Sequence, residues 1–85
     1  METLQIIIAE DDNWYSEFLE YHLTLVHKHT IKKVKTALDL FKQLNLKPDI
    51  ITLDYNLPDL KGDEVLKRIK RESPNTEVIL VSGQN

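Results

Sequence analysis

Two short apolar runs, each ending in acid, limit what this chain can fold into more than any other feature. Leu4 to Ala9 leads into Glu10-Asp11-Asp12, and Ile50-Ile51-Thr52-Leu53 leads into Asp54. Continuous apolar runs of this length, bounded by polar residues, read as strands buried on both faces, as in a parallel sheet. Two such strands lying side by side bring their C-terminal ends together, where open α/β sheets bind ligands. Several carboxylates then crowd one small site. They repel unless a cation sits among them, and a hard, oxygen-only set suits Mg2+. A metal-bound Asp held away from bulk water can act as a nucleophile toward phosphorus, forming an aspartyl phosphate.

Length and composition narrow the class. With 85 residues, the chain is one small domain, residues 1–85, near the size where a single core is marginal. Charged residues make up 29% and hydrophobic ones 41%, as in a globular chain rather than a disordered one. The net charge of −3 argues against direct nucleic-acid contact by the domain. Cysteine is absent, which excludes disulfides and thiolate metal sites and is compatible with a reducing compartment. Met1-Glu2-Thr3-Leu4 lacks the basic start of a signal peptide, and no apolar stretch approaches membrane-spanning length. A cytoplasmic location, with no membrane partner, is the expectation.

Strand and helix signals alternate along the chain. The first strand is about Gln5 to Ala9, and the first helix runs from a cap at Asp12 or Asn13 to about His27. Its apolar residues, from Trp14 and Tyr15 to Leu25 and Val26, cover more than one face. A weak second strand, roughly Thr30 to Lys35, carries Lys32, Lys33 and Lys35, which guard an edge against unwanted pairing. Thr36-Ala37-Leu38-Asp39 opens a second helix, with Ala37, Leu40, Phe41 and Leu44 at helical spacing. Lys47-Pro48-Asp49 stops it before the third strand. After the loop Leu57-Pro58-Asp59-Leu60-Lys61-Gly62, a third helix runs to about Ser73. It buries Val65, Leu66 and Ile69 and carries the outward pairs Asp63–Lys67 and Glu64–Arg68. Thr76 to Val81 forms the fourth strand. If the carboxylates cooperate, strands one and three are neighbours, and right-handed crossovers then give the order 2-1-3-4. That is an α/β, flavodoxin-like parallel sheet.

These residues resemble the receiver domain of two-component response regulators. The resemblance rests on four marks in order. They are Ile8-Ala9-Glu10-Asp11-Asp12, Lys47-Pro48-Asp49-Ile50-Ile51-Thr52-Leu53-Asp54, Leu57-Pro58-Asp59 with Gly62, and Val78-Ile79-Leu80-Val81-Ser82-Gly83-Gln84. It implies that Asp54 is the phosphoacceptor, that Asp11 binds Mg2+ directly, and that Glu10 holds the metal through water. It further implies that Asn56 offers its backbone carbonyl to the metal and that Ser82 hydrogen-bonds a phosphoryl oxygen. Asn56 and Gln84 fall where the family tunes acyl-phosphate lifetime. Asp12 is expected to favour the positive end of the first helix instead. The partner implied is a histidine kinase or phosphotransfer protein, with the first helix contributing to its docking. The domain itself is then a signalling module rather than an enzyme.

The family also has a fifth strand ending in a lysine, an aromatic switch residue and two further helices, which these residues do not contain. The sequence is therefore expected to be the N-terminal part of a receiver, impaired in phosphorylation for lack of that lysine. Two other classes compete. A haloacid-dehalogenase-like phosphatase also uses a strand-end Asp, but wants a second Asp where this chain has Asn56. An interaction or dimerisation fragment without a working switch is the other alternative. Four strands with one helix on one side leave apolar surface bare, with Ile51, Leu53, Ile79 and Val81 as candidates to line it. A homodimer or higher association is expected from that exposure. Elsewhere the plainer readings are preferred. His22, His27 and His29 are read as helix-end and surface residues, and Lys67-Arg68-Ile69-Lys70-Arg71 as a solvated helix face. Trp14 and Tyr15 are read as core.

Overall fold

Each apolar run becomes a strand, and each segment of helical period a helix, in the computed structural model, which describes residues 3–81. The elements are β1 (Gln5–Ala9), α1 (Asn13–Leu23), β2 (Thr30–Val34), α2 (Ala37–Gln43), a 3-10 turn at Leu44–Leu46, β3 (Ile50–Asp54), α3 (Gly62–Glu72) and β4 (Glu77–Val81). All strand pairings are parallel and the order is β2-β1-β3-β4, the flavodoxin-like arrangement expected. Among the described residues, no helix is long and apolar enough to cross a membrane.

Register decides which layer each side chain enters. Ile7 pairs with Ile51, and Ile51 with Val78. Together with Ala9 and Leu53, the first two join Leu40, Leu44, Val65 and Ile69 of the α2–α3 layer in one buried cluster, with Val78 packed against it. Each fully buried aliphatic side chain contributes about 1.5–3 kcal/mol, so this layer dominates the stability. Ile6 and Ile8 alternate to the other side. There Lys33, level with Ile8, reaches Glu20 of α1 at 2.8 Å. Ile51 and Leu53 therefore do not line the bare region, because alternation sends both into the covered layer. Ile79 does lie on the α1 side, level with Thr52, and is 52% exposed.

Several local expectations are corrected by competing contacts. Helix α1 ends at Leu23 rather than near His27, because the Thr24 hydroxyl donates to the Glu20 carbonyl at 2.8 Å and closes the last turn. Trp14 is not core but 70% exposed, since the narrow helix turns its Trp14–Phe18–Tyr21 edge away from the sheet. Strand β2 stops at Val34, one residue short, and β4 starts at Glu77. The Thr76 hydroxyl is instead buried, donating to the Pro48 carbonyl at 2.6 Å while accepting from Ser73 at 2.6 Å. Helix α2 gives way to the 3-10 turn and ends where Lys47 adopts a left-handed conformation (φ 53°) before Pro48. The Lys47 ammonium donates to the Glu72 carbonyl at the end of α3. Val65 and Ile69 are buried, and Leu66 is half-buried.

The outward pairs Asp63–Lys67 and Glu64–Arg68 are not among the ion pairs of the described residues. Asp63 instead accepts from the Tyr55 hydroxyl at 2.7 Å. Arg68 pairs with Glu72 at 2.8 Å and lies over the Phe41 ring, 4.3 Å from its centre. Stacking on a ring favours that rotamer over the reach back to Glu64.

Thr52 presents a local conflict. Its hydroxyl oxygen is buried without a hydrogen-bond partner on the side of the sheet shared with Ile8 and Ile79. An unpaired buried hydroxyl costs more than it returns, so Thr52→Val is expected to stabilise the fold by about 1 kcal/mol. Urea unfolding measures this, and a lower midpoint in the variant contradicts it.

Candidate functional site

The site is assembled by β1 and β3. Ala9 pairs with Leu53, so the next residues, Glu10 and Asp54, emerge side by side at the C-terminal end of the sheet. The Glu10 amide donates to the Val34 carbonyl at 3.0 Å, which extends the β2 pairing and fixes where its side chain leaves. Asp11 follows on the exposed side. Carboxylate oxygens of Glu10, Asp11 and Asp54 all lie within 4.8 Å of one another. Glu10 and Asp54 are only 6% and 8% exposed, so two of the three charges are largely out of water.

Burial and repulsion act together on Glu10. Desolvation, followed by the charge and contact of Asp54 and the charge of Asp11, pushes its carboxyl up to about 7. The Asp12 amide, donating to Glu10 Oε2 at 3.2 Å, opposes this only in part. A trio of acids this close is electrostatically incomplete, and a divalent cation would complete it. The oxygen-only donor set fits a hard ion such as Mg2+.

The remaining expected residues fall into place unequally. Asp12 caps α1, its Oδ1 accepting from the Trp14 and Tyr15 amides at 3.0 and 3.2 Å, as expected of an acid at a helix start. Asn56 lies just beyond Asp54, and its amide donates to Asp54 Oδ1 at 3.0 Å. Ser82 and Gln84, given roles above, lie outside the described residues. The histidines stay away from the acids. His29 Nδ1 accepts from the Leu4 amide at 3.0 Å, and His22 Nδ1 faces the Phe18 carbonyl. Lys67, Lys70 and Arg71 are exposed, as befits a solvated helix face.

Asp59 and Gly62 were marks of the resemblance, but their contacts, and the part played by Tyr55, escaped the sequence reading. The Tyr55 ring covers Gly62 so closely that a Cβ there would meet it at 2.3 Å, while the Gly62 amide donates to the Tyr55 carbonyl at 3.0 Å. Only glycine permits that approach. Asp59 reaches back to the start of α2, accepting from the Ala37 and Leu38 amides at 2.8 and 3.0 Å. The acid after Pro58 signalled a turn, but nothing local names a partner twenty-odd residues upstream. An open cleft of about 350 Å³, lined by Glu10, Asp12, Trp14 and Tyr15, adjoins the carboxylates.

The family model described as "Response regulator receiver domain" matches residues 6–85. The chain is 35% identical, over 98% of its length, to a protein-glutamate methylesterase/protein-glutamine glutaminase of Geobacillus kaustophilus, and spans 24% of that protein. It is 30% identical, over 94% of its length, to the cell cycle response regulator CtrA of Brucella ovis, and spans 34% of that one. The chain thus corresponds to about a quarter to a third of these relatives. Among solved structures, the MaeR response regulator bound to beryllium trifluoride superposes with a TM-score of 0.87 at 27% identity, over 98% of this chain and 70% of that one. Sequence motif, strand order and acid cluster agree with these matches, and the chain belongs to the receiver-domain family of two-component response regulators.

Proposed function

We propose that the chain is a phosphoacceptor module that receives a phosphoryl group on Asp54 from a partner histidine kinase or phosphotransfer protein. The observation that carries this reading is the convergence of the Glu10, Asp11 and Asp54 carboxylates at the C-terminal end of β1 and β3. An Asp54 oxygen attacks phosphorus, a P–O bond to the carboxylate forms, and the P–N bond to the donor histidine breaks. The histidine leaves as neutral imidazole after taking up a proton. The chemistry belongs to donor and acceptor together, so the module assists its own phosphorylation and is not an enzyme in its own right. Its setting is the cytoplasm, and neither membrane nor nucleic acid is its direct partner.

Asp11 and Asp54 would hold Mg2+ directly, Glu10 through water, and Asn56 through its backbone carbonyl. The ion supplies positive charge against the oxygens of the transferred group. Asp54 provides the nucleophile, kept from bulk water by its burial and oriented by the Asn56 amide. Ser82 would donate to a phosphoryl oxygen, and Asn56 and Gln84 would set how long the acyl phosphate lasts. Beryllium trifluoride imitates a phosphoryl group on a carboxylate, and its presence in a relative of this fold supports the reading.

Metal binding provides one test. Trp14 fluorescence is expected to respond to Mg2+ in the wild type and not in Asp11→Ala, and an identical response in both removes Asp11 from the ligand set. The affinity is expected to rise with pH up to about 7 and level off above, because a proton held on Glu10 competes with the cation. The sign for stability is opposite when metal is withheld. The folded state holds that proton more tightly than the unfolded chain, whose carboxyl titrates near 4.5, so stability falls as pH rises from there to about 7. Chemical denaturation across that range, with and without Mg2+, checks both signs.

Phosphorylation provides a second. Intact mass after incubation with a small acyl-phosphate donor and Mg2+ is expected to show one added phosphoryl group, lost in Asp54→Asn. Labelling of Asp54→Asn contradicts the site.

A homodimer or higher association of the chain is a further reading, favoured by one observation. Ile79 and Leu80 are 52% and 50% exposed on opposite faces of β4, which carries neither lysine nor proline to blunt its edge. Sedimentation at micromolar concentration is expected to show a dimer or larger species of the 9.9 kDa chain, and a stable monomer overturns this.

A further inference from the structure

We infer that Asp59 is a positioning residue, clasping the loop that follows Asp54 onto the start of α2 and so holding the Asn56 backbone in place at the acid site. This deepens the metal-assisted phosphoacceptor reading and rests on it for the consequence, though not for the clasp.

The loop is secured at its base and along its inner side. At the base, the Tyr55 amide donates to the Val81 carbonyl at 3.1 Å, Asn56 bridges to Lys61, and the Gly62 amide donates to Tyr55. On the inner side, Leu57 is 6% exposed within the α2–α3 core, and Leu60 packs against it. The outer tip, Pro58-Asp59, is exposed and has no such support. Asp59 alone, among the described residues, ties that tip to another element by hydrogen bonds. Both of its oxygens are used, one on the Ala37 amide and one on the Leu38 amide.

Two observations show that the clasp is more than a helix cap. Helix α2 already has a cap, because Thr36 accepts from the Asp39 amide at 3.1 Å, so Asp59 serves amides that the local cap leaves free. The neighbouring helix contrasts with this. Its start, Lys61, has no side-chain cap bond, so the loop does not spend its one short acid on the helix it leads into. Burial pushes the Asp59 carboxyl up, but the Ala37 and Leu38 amides, with those of Asp59 and Leu60, outweigh it and hold the group below its usual range. The ionised carboxylate is therefore the form that the clasp uses.

The clasp makes the loop a strut between two elements. Asn56 sits between the Asp54 end of the loop and the Asp59 tip. Release of the tip leaves the loop held only at its base and inner side, and the Asn56 backbone gains freedom to move relative to Asp54. Outer groups that orient metal ligands commonly change affinity by about 10–100-fold when removed.

The test compares two losses at the same helix start. Asp59→Ala removes the clasp, whereas Thr36→Ala removes only the local cap. In metal-free protein, exchange of the Asn56 amide, which donates to Asp54, is expected to accelerate about ten-fold in Asp59→Ala. Thr36→Ala is expected to lower the melting temperature and leave Asn56 exchange unchanged, and Asp59→Asn, which keeps one acceptor, to fall between wild type and Asp59→Ala. Mg2+ affinity by Trp14 fluorescence is expected to weaken about ten-fold in Asp59→Ala only. Unchanged Asn56 exchange in a folded Asp59→Ala protein overturns the inference. So does equal acceleration in Thr36→Ala, which reduces the clasp to general helix stability. A wild type without any Mg2+ response overturns the metal reading instead, and the exchange comparison still decides the clasp.

Discussion

Because β1 and β3 pair in parallel with Ala9 beside Leu53, the residues that follow them leave the sheet at one level, and everything at the site derives from that register. A slip by one residue would turn either Ile7 or Ile51 out of the α2–α3 core and carry Glu10 away from Asp54. The hydrophobic cluster and the acid cluster are thus specified by the same hydrogen-bond ladder. Packing supplies the energy that forces like charges together, and the charges contribute nothing to holding the strands.

The acid site is therefore a place of stored cost. Two carboxylates are largely buried beside a third, and Glu10 responds by keeping its proton to about neutral pH. Ion or proton must meet that demand. A site that is costly when unpaired discriminates strongly between a divalent cation and none.

The architecture was legible in the sequence because its signals are local and agree. Apolar runs marked the strands, Thr36 and Asp12 marked helix starts, and the acids at the strand ends marked the site. Contacts decided at a distance were not legible. Nothing near Asp59 announces Ala37 and Leu38, and Asp63 looked like a partner for Lys67 until the Tyr55 hydroxyl came within 2.7 Å of it. Alternation places Ile51 and Leu53 on one face of β3, but it could not say which helix layer that face would meet. Trp14 was misread for a related reason. The first helix has more apolar residues than one sheet contact can bury, so composition could not tell which edge would be left in water.

The central place of β1 also has a consequence for how the chain is built. Gln5–Ala9 is made before the other three strands of this sheet, yet its inner edge is completed only by Ile50–Leu53, after both α1 and α2 have been made. Its other partner, β2, arrives sooner but is half-exposed and rich in lysine, and offers little apolar cover. This buried strand thus waits for the more distant of its two partners. Such non-local pairing slows folding and leaves apolar surface open to other chains in the interval. During synthesis the nascent β1 stays open on that edge, and its wait ends when the strand bearing Asp54 emerges.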